Sequence, residues 1–411
     1  MITRRKALYG AIIIVILSSL FTFTISNMIQ ITIKDKVVIT KDYYEDLVAT
    51  YEKYSKAIAL ENFIKKNYLK DVNEKDLLEG QLKGMFEALG DPYSVYMTKE
   101  EFADFMEHTK GTYQGIGVIV TPGEDNLITV VSPIEDTPGE RAGIKTGDKI
   151  IKVNGKEFTA DKMDDAVKLM KGKPGTSVNI TILRTDKDGN NKFIDLNIVR
   201  EEIRLKTVKS RMLKNKIGYI RIVSFDELTY DDFKKHLNNL KDKGMKGLII
   251  DLRNNPGGLL SECAQIADEL MGEGVIVYTE TKNKEREYLK SDSKKLGLPL
   301  VLIVNGGSAS ASEILAGAIK DTKTGILVGT KTFGKGIVQR IKPLSDGSGF
   351  KLTVSEYFTP SGTNIHGIGI LPDVVVELPE NVQKIGVDNI KEDVQLKKAI
   401  EIIDSKIKNS H

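Results

Sequence analysis

The spacing of hydrophobic residues divides the chain into stretches of different secondary structure. Residues 7–25 form a continuous apolar run, and residues 38–109 place aromatic and aliphatic side chains at helical spacing. After Gly111 the pattern changes to short β-branched runs separated by turn residues, which continue to about Glu201. From Lys216 onward, apolar β runs alternate with amphipathic helical stretches. This alternation predicts an α/β layer with mainly parallel strands.

These changes of pattern predict a multidomain fold. The length agrees, because 411 residues are too many for one ordinary core. The predicted segments are an N-terminal transmembrane anchor or signal (1–30), a helical N-terminal region (31–110), a β-rich domain (111–201), an α/β core (202–380) and a C-terminal helix (381–411).

The helical region has two local features of interest. Its stripe of Leu and Tyr is typical of a core or of a surface for a partner helix, so the region is a candidate dimerisation surface of a homodimer. Near its end, residues 91–97 (DPYSVYM) are predicted to form a turn. Thr98, with Glu101 three residues later, is predicted to cap the helix that follows.

The N-terminal apolar run predicts a membrane segment. As a helix it would span about 28 Å, and the basic stretch MITRRK precedes it. The run is longer than the usual signal-peptide core, and no convincing A-x-A cleavage site follows. We therefore expect a single-pass anchor in the cell membrane with the rest of the chain extracytoplasmic. The alternative is a cleaved signal and a secreted protein.

Charge and cysteine content exclude several function classes. The chain has 60 Lys and Arg against 57 Asp and Glu, and this balance gives no reason to expect a nucleic-acid partner. The one cysteine, Cys263, cannot form an internal disulfide and lies in an apolar-periodic helix, which is typical of a core residue. No His/Cys cluster has metal-ligand spacing, so we expect neither a metal site nor a cofactor.

Three glycine-rich turns each follow an apolar β run in the α/β part. They are LIIDLRNNPGG (248–258), VLIVNGGSASASE (301–313) and GILVGTKTFGKGIVQ (325–339). Glycine-flanked polar groups at strand ends of an α/β sheet are common at binding sites.

Ser310 in the second turn has two interpretations. With Glu313 it fits a capping box, S-x-x-E, in which the serine is a plain N-cap worth about 1 kcal/mol. A helix N-terminus also favours negative charge and would therefore stabilise an alkoxide or an oxyanion. The same geometry serves both interpretations, so the local sequence leaves them open.

A nucleophilic serine needs a base, and histidine is a poor candidate in this chain. Only His366, among His108, His236, His366 and His411, lies near a glycine-rich turn. A lysine can act instead if its pKa falls by about 3 units, which burial away from carboxylates would supply. Lys335 has glycine and apolar neighbours and no acid within ten residues on either side. Gln339, four residues later, would share a face with Lys335 and could orient its amine.

The three motifs DLRNNPGG, NGGSASASEILAGAIKD and GTKTFGKGIVQ, in this order, resemble those of the C-terminal processing peptidases, or tail-specific proteases. The resemblance extends over nearly all of the chain after the apolar run. It implies a crotonase-like α/β protease core with an inserted PDZ domain and a Ser–Lys dyad. By motif, it implies Ser310 as nucleophile, Lys335 as general base and Gln339 as the residue that orients the base. It also implies an oxyanion hole formed by the backbone N–H groups of Gly258 and Ala311.

The β-rich domain resembles a PDZ domain. The stretch GTYQGIGVIV is similar to the loop that binds a substrate's terminal carboxylate, which implies contacts from the backbone N–H groups of Ile116, Gly117 and Val118. Many relatives carry Arg at the position of Lys171. Lysine lacks the bidentate guanidinium, so a link from PDZ position to the active site through this residue is not expected here.

Together these features predict an anchored serine endopeptidase that recognises free C-termini of extracytoplasmic proteins through its PDZ domain. The alternative is a non-catalytic PDZ-containing scaffold that binds peptide tails. A core that handles an acyl thioester is the third hypothesis, and it leaves both Lys335 and the PDZ-like domain unexplained.

Overall fold

A computed structural model of the chain describes residues 4–28, 31–33, 36–186, 189–380, 382 and 384–409. Parts of the predicted anchor (1–3, 29–30) and of the predicted C-terminal segment (381, 383, 410–411) lie outside the described residues. The chain divides into two compact units, Met1–Gly84 and Met85–His411.

The secondary structure follows the predicted change from helices to strands and then to alternating elements. The helices are α1 (Arg4–Met28), α2 (Lys41–Asn67), α3 (Glu74–Glu87), α4 (Lys99–Lys110), α5 (Pro138–Arg141), α6 (Met163–Met170), α7 (Thr229–Asp242), α8 (Leu260–Leu270), α9 (Ala311–Asp321) and α10 (Val394–Asn409). The strands are β1 (Ile31–Ile33), β2 (Lys36–Val38), β3 (Val95–Met97), β4 (Thr112–Gly115), β5 (Val118–Pro122), β6 (Ile128–Pro133), β7 (Lys149–Val153), β8 (Lys156–Glu157), β9 (Ser177–Thr185), β10 (Asn191–Val199), β11 (Glu201–Arg204), β12 (Val208–Met212), β13 (Ile217–Ile222), β14 (Gly247–Asp251), β15 (Gly274–Thr281), β16 (Arg286–Ser291), β17 (Leu300–Val304), β18 (Ile326–Gly329), β19 (Ile337–Pro343), β20 (Gly349–Phe358) and β21 (Val374–Val375). Short 3₁₀ turns lie at Ala160–Lys162, Lys214–Lys216 and Val387–Asn389.

The N-terminal unit begins with the apolar helix α1. Its segment Arg4–Thr24 has a mean hydropathy of 2.1 over 21 residues, a length and composition typical of both a signal sequence and a membrane anchor. The β1–β2 pair follows, so the region predicted to be helical starts with a short antiparallel hairpin. The α2 helix starts after Thr40, whose hydroxyl accepts the backbone N–H of Tyr43.

The segment before α4 is a strand and not only the predicted turn. Residues Val95–Met97 pair antiparallel with β20 of the second unit, and Tyr96 and Met97 are buried. Their apolar side chains explain the pairing, which a turn prediction based on Asp-Pro missed. The cap at Thr98 is confirmed, because Thr98 and Glu101 form a complete capping box.

The β-rich domain is an antiparallel sheet with strand order β10-β9-β7-β6-β5. Alternate residues of β9, such as Ile180 and Ile182, face its core and are fully buried. The helix α6 adds Ala166 and Met170 to the same core. The β5 strand is at the edge of this sheet, so its outer backbone groups are available to another strand.

The α/β core is a sheet with strand order β12-β13-β14-β17-β18-β21. All neighbours from β13 to β21 are parallel, which confirms the prediction of mainly parallel strands. Both faces are buried, since Leu248 and Ile250 lie in one hydrophobic cluster and Ile249 lies in another. Helices α7 and α9 contact one side of the sheet, and α10 contacts β13, β14, β17 and β18.

This topology brings the three glycine-rich turns together. They follow β14, β17 and β18, which are adjacent in the sheet and parallel, so the turns emerge at the same edge. A second sheet, β16-β15-β20-β19, supplies the strand β19 that follows the third turn.

A buried ionic network ties the first turn to the chain's C-terminal part. The Arg253 guanidinium is fully buried and pairs with Asp251 and with Asp393, which immediately precedes α10. The predicted C-terminal helix therefore starts at Val394, after the acid that closes this network.

Candidate active site

The sequence-predicted active-site residues line one cavity of about 340 Å³ in the second unit. These residues are Ser310, Lys335, Gln339, Gly258 and Ala311. They come from all three glycine-rich turns and the start of β19, so residues far apart in sequence meet at the carboxyl edge of the parallel sheet.

Ser310 occupies the sharp turn between β17 and α9. Its backbone has φ 54° and ψ −116°, whereas an ordinary N-cap lies in the β region. A positive φ at a non-glycine residue is strained, and such strain is concentrated at functional sites. The backbone of Ser310 is thus not that of a plain cap.

The two neighbouring serines are used for internal hydrogen bonds. Ser308 Oγ donates to the carbonyl of Leu252 at 2.8 Å, and Ser312 Oγ donates to the carbonyl of Asn255 at 3.0 Å. Both side chains are fully buried. Of the three serines, Ser310 alone lines the cavity among the residues that the structure describes.

Glu313 has a larger role than the capping pattern indicated. Its fully buried carboxylate accepts the backbone N–H of Ser310 at 2.9 Å and that of Lys335 at 2.8 Å through Oε2. Its Oε1 accepts Thr332 Oγ1 at 2.6 Å and the Gly334 N–H at 2.7 Å. One carboxylate therefore fixes the backbone of both the second and the third turn, a link that no sequence spacing reveals.

The environment of Lys335 lowers the pKa of its amine. Burial is the largest cause, and the positive charge of Lys351 acts in the same direction. Sequence neighbours suggested that no carboxylate is near, but the fold brings Asp91 close enough to oppose the shift. The ring of Tyr93 also lies 4.5 Å from Nζ. The net direction still favours a neutral amine more than in a free lysine.

Gln339 lines the same cavity as Lys335, but the two residues do not share a face of one regular helix or strand. Lys335 precedes β19, and a bulge interrupts the strand between Val338 and Gln339. The Gln339 amide Nε2 donates to Thr353 Oγ1 at 3.3 Å. Its Oε1 has no hydrogen-bond partner among the described residues and is available to groups in the cavity.

The Gly257–Gly258 turn approaches Ser310 and Phe225 too closely for any side chain. A Cβ at Gly257 would lie 2.8 Å from Ser310 Cβ, and one at Gly258 would lie 2.1 Å from the Phe225 carbonyl oxygen. The flanking hydrogen bonds, Phe225 N–H to the Gly257 carbonyl and Leu259 N–H to the Phe225 carbonyl, direct the Gly258 N–H away from Phe225. Glycine is required here by close approach.

Further polar residues line the cavity that sequence reasoning did not single out. Lys351 comes from β20, and Asp226 comes from the loop after β13. Burial raises the pKa of the Asp226 carboxyl, whose Oδ2 has no hydrogen-bond partner in the described structure. Neither residue belongs to a glycine-rich motif, so no local signal marked them. His366 is exposed and does not line the cavity.

A second cavity, of about 260 Å³, lies in the β-rich domain. It is lined by the predicted loop residues Ile116, Gly117 and Val118 and by Val167 and Met170 of α6. The groove thus runs between the edge strand β5 and a helix, the geometry in which an added peptide strand is recognised.

Lys171, immediately after α6, lines this groove and forms ion pairs with two carboxylates of α4. Its Nζ lies 3.0 Å from an Asp104 oxygen and 2.7 Å from a Glu107 oxygen. His108, on the same helix, lines both cavities, so α4 forms part of the wall of each.

The described part of the chain was also compared with the ligand sets that metal ions need. No group of three or more His, Cys, Asp or Glu side chains there could hold a metal ion.

Comparison with known proteins identifies the parts of the chain. Residues 216–376 match the model of peptidase family S41, residues 129–184 match a PDZ domain, and residues 15–101 match the activating protease CtpB N-terminal domain.

Two bacterial relatives match most of the chain. A carboxy-terminal-processing protease of Bartonella bacilliformis is 40% identical over 338 residues, which are 80% of this chain and 76% of the relative. The carboxy-terminal processing protease CtpA of Bacillus subtilis is 42% identical over 319 residues, 77% of this chain and 67% of the relative.

A solved structure also matches the fold. A protein from Bacteroides fragilis described as an S41 protease aligns with a TM-score of 0.54 at 14% identity, over 84% of this chain and 96% of that one. The two relatives are at least 40% identical to this chain, which covers two thirds or more of the length of each. The chain therefore belongs to the carboxy-terminal processing proteases of peptidase family S41 and is a serine-type peptidase with a PDZ domain.

Proposed function

We propose that this peptidase cleaves peptide bonds with a Ser310–Lys335 dyad. The observation that carries the proposal is the single cavity that Ser310, Lys335, Gln339, Gly258 and Ala311 all line. The lowered pKa of Lys335 supports its role as general base, because a base must be neutral to accept a proton.

In this mechanism Lys335 Nζ takes the proton from Ser310 Oγ as the oxygen attacks the scissile carbonyl carbon. The carbonyl oxygen becomes an oxyanion, which the N–H groups of Gly258 and Ala311 would stabilise by hydrogen bonds. The protonated Lys335 then gives its proton to the leaving amine, and an acyl-enzyme remains on Ser310. Water, deprotonated by Lys335, then attacks the acyl carbon, and the bond to Ser310 Oγ breaks as this oxygen takes the proton back from Lys335. Gln339 would orient the Lys335 amine through its Oε1.

The substrate is proposed to be a protein with a free C-terminus. The cavity beside β5 supports this, since the backbone N–H groups of Ile116, Gly117 and Val118 could hold a terminal carboxylate while the peptide pairs with the strand edge. On this proposal, residues 111–201 bind the tail and residues 202–380 cut the chain within a crotonase-like core.

The remaining segments are proposed to anchor the enzyme, to pair two copies and to complete the core. Residues 1–30 would anchor it in the cell membrane with the catalytic part extracytoplasmic, residues 31–110 would pair two copies in a homodimer, and residues 381–411 would close the core. The apolar character of Arg4–Thr24 supports the anchor, and a signal sequence would have the same composition.

Cleavage of unfolded casein by the full chain in detergent tests the dyad. Ser310→Ala and Lys335→Ala should each abolish cleavage, whereas Lys331→Ala, which removes an exposed lysine of the same turn, should not. Wild-type rates in either dyad variant would refute the assignment. Binding of a free-acid tail without any turnover by the wild-type chain would favour the scaffold alternative.

A further inference from the structure

The catalytic cavity contains a second lysine that the proposed mechanism does not use. Lys351 lies on β20, is half-buried, and lines the cavity together with Lys335. Its Nζ lies 5.7 Å from the centroid of the Phe105 ring, another part of the cavity wall. The side chain is therefore directed along an apolar wall and not away from the protein.

Within the described structure, Lys351 has no carboxylate partner. Lys171, another half-buried lysine of the same unit, pairs with both Asp104 and Glu107. A partly buried cation without a counter-charge is unusual, because burial of an unpaired charge costs free energy. A ligand that supplies a carboxylate would offset this cost.

The cavity itself offers no competing acid. Its one carboxylate among the described lining residues is Asp226, which is 3% exposed. Asp226 Oδ1 accepts from the Leu228 N–H and from Thr229 Oγ1, and the whole carboxylate is packed against Gly111. Asp91 acts on Lys335 from outside the lining, so no described lining residue offers Lys351 an exposed negative charge.

Much of the remaining wall of the cavity is apolar, and His108, Thr109 and Ser224 also line it. The apolar lining residues include Ile314, Ile337 and Ile341. An ionic contact in a cavity with such walls is less screened by water than one on the open surface. The positive charge of Lys351 also acts against protonation of Lys335, so it assists the base while the cavity is empty.

We propose that Lys351 forms a carboxylate subsite in the catalytic cavity, where its ammonium binds a carboxylate of the substrate chain next to the scissile bond. The inference rests on the proposed function of this cavity. The carboxylate can come from an Asp or Glu side chain or from the free C-terminus of a short tail. Both present the same chemistry to the ammonium, and an ion pair of this kind would favour the acidic substrate by about tenfold.

Peptide cleavage by the full chain in detergent tests the subsite. The starting peptide is one that mass spectrometry identifies as a cleaved segment of unfolded casein. Glu or Gln is then placed at each of the nearest positions on either side of the scissile bond, and each peptide is made with a free or an amidated C-terminus. The readout is the ratio of kcat/KM for the charged and uncharged member of each pair, in wild type, Lys351→Met, Lys351→Arg and Lys342→Met.

The ratio separates the outcomes. We expect wild type to prefer one charged member by about tenfold, Lys351→Met to bring this ratio close to one, and Lys351→Arg to restore it. Lys342 is exposed on the same hairpin and does not line the cavity, so Lys342→Met should keep the wild-type ratio.

A preference for Glu over Gln assigns the side-chain source, and a Lys351-dependent preference for free acid over amide assigns the C-terminus. Equal ratios in wild type and Lys351→Met for every pair would overturn the subsite but leave the dyad intact. Failure of wild type to cleave any peptide would overturn the proposed function and the subsite with it.

Discussion

Replacing Glu313 with glutamine would test whether one buried carboxylate holds the active-site turns in place. The carboxylate accepts four hydrogen bonds, two at each oxygen. Glutamine keeps one oxygen and presents an NH₂ group in place of the other, so two of the four donors would face a donor. A hydrogen bond to a charged acceptor contributes about 1.5–3 kcal/mol, and the loss of two predicts a decrease of about 3–6 kcal/mol in the free energy of unfolding.

The same substitution should lower activity in the fraction that stays folded. Glu313 binds the backbone of both Ser310 and Lys335, and a displacement of about 1 Å between reacting groups costs about 100-fold in rate. Urea unfolding gives the stability change, and kcat measured under native conditions gives the rate change. Glu262→Gln is the matched control, because Glu262 is also buried, but its carboxylate accepts from the Tyr230 N–H and the Gln265 amide and from neither the second nor the third turn. Equal losses of stability and rate in the two variants would refute the reasoning.

Three further predictions follow from the pKa of Lys335, the Arg253 network and the glycine turn. Because burial lowers the pKa of Lys335, kcat/KM should rise with pH and reach its plateau below pH 10.5, the ordinary value for lysine, in a pH–rate profile. Asp393→Asn should remove about 3 kcal/mol or more from the free energy of unfolding in urea, since it removes one of the acids that pair with the fully buried Arg253. Gly258→Ala should abolish casein cleavage, because its Cβ would overlap the Phe225 carbonyl oxygen and displace the turn.

Each of these has a specific contrary result. Activity that appears only above pH 10.5 would show that Lys335 has no lowered pKa or is not the base. An Asp393→Asn chain as stable as wild type would mean that Arg253 finds full compensation from Asp251 alone. Alanine at Gly306, where the nearest non-neighbouring atom is 3.9 Å from the added Cβ, is the control for Gly258→Ala, and equal activity of both would refute the steric account.

The sequence predicted the parts of this protein that depend on local pattern. Alternating apolar β runs and helices predicted the parallel sheet, and glycine-rich turns after three of those runs predicted where polar groups would meet. Thr98 and Glu101 predicted a helix start that the structure confirms. These features are encoded within a few residues, so a single sequence reveals them.

Features that depend on contacts between distant segments were not predictable. The strand Val95–Met97 exists because β20 offers it an edge, and Asp91 affects Lys335 because the fold brings the two together. Lys351 lines the cavity, but nothing near it in sequence indicates this. Capping chemistry alone could not distinguish a plain N-cap at Ser310 from a nucleophile. The structure separates the three serines by burying the hydroxyls of Ser308 and Ser312 in internal hydrogen bonds.

Labelling with an active-site-directed fluorophosphonate tests the central claim, that Ser310 is a nucleophile activated by Lys335, most directly. The full chain is incubated with the reagent, digested, and the labelled residue located by tandem mass spectrometry. The account predicts a single adduct on Ser310 of the wild-type chain and its loss in Lys335→Ala. An adduct on Ser308 or Ser312, or labelling of Ser310 at the same rate without Lys335, would contradict it.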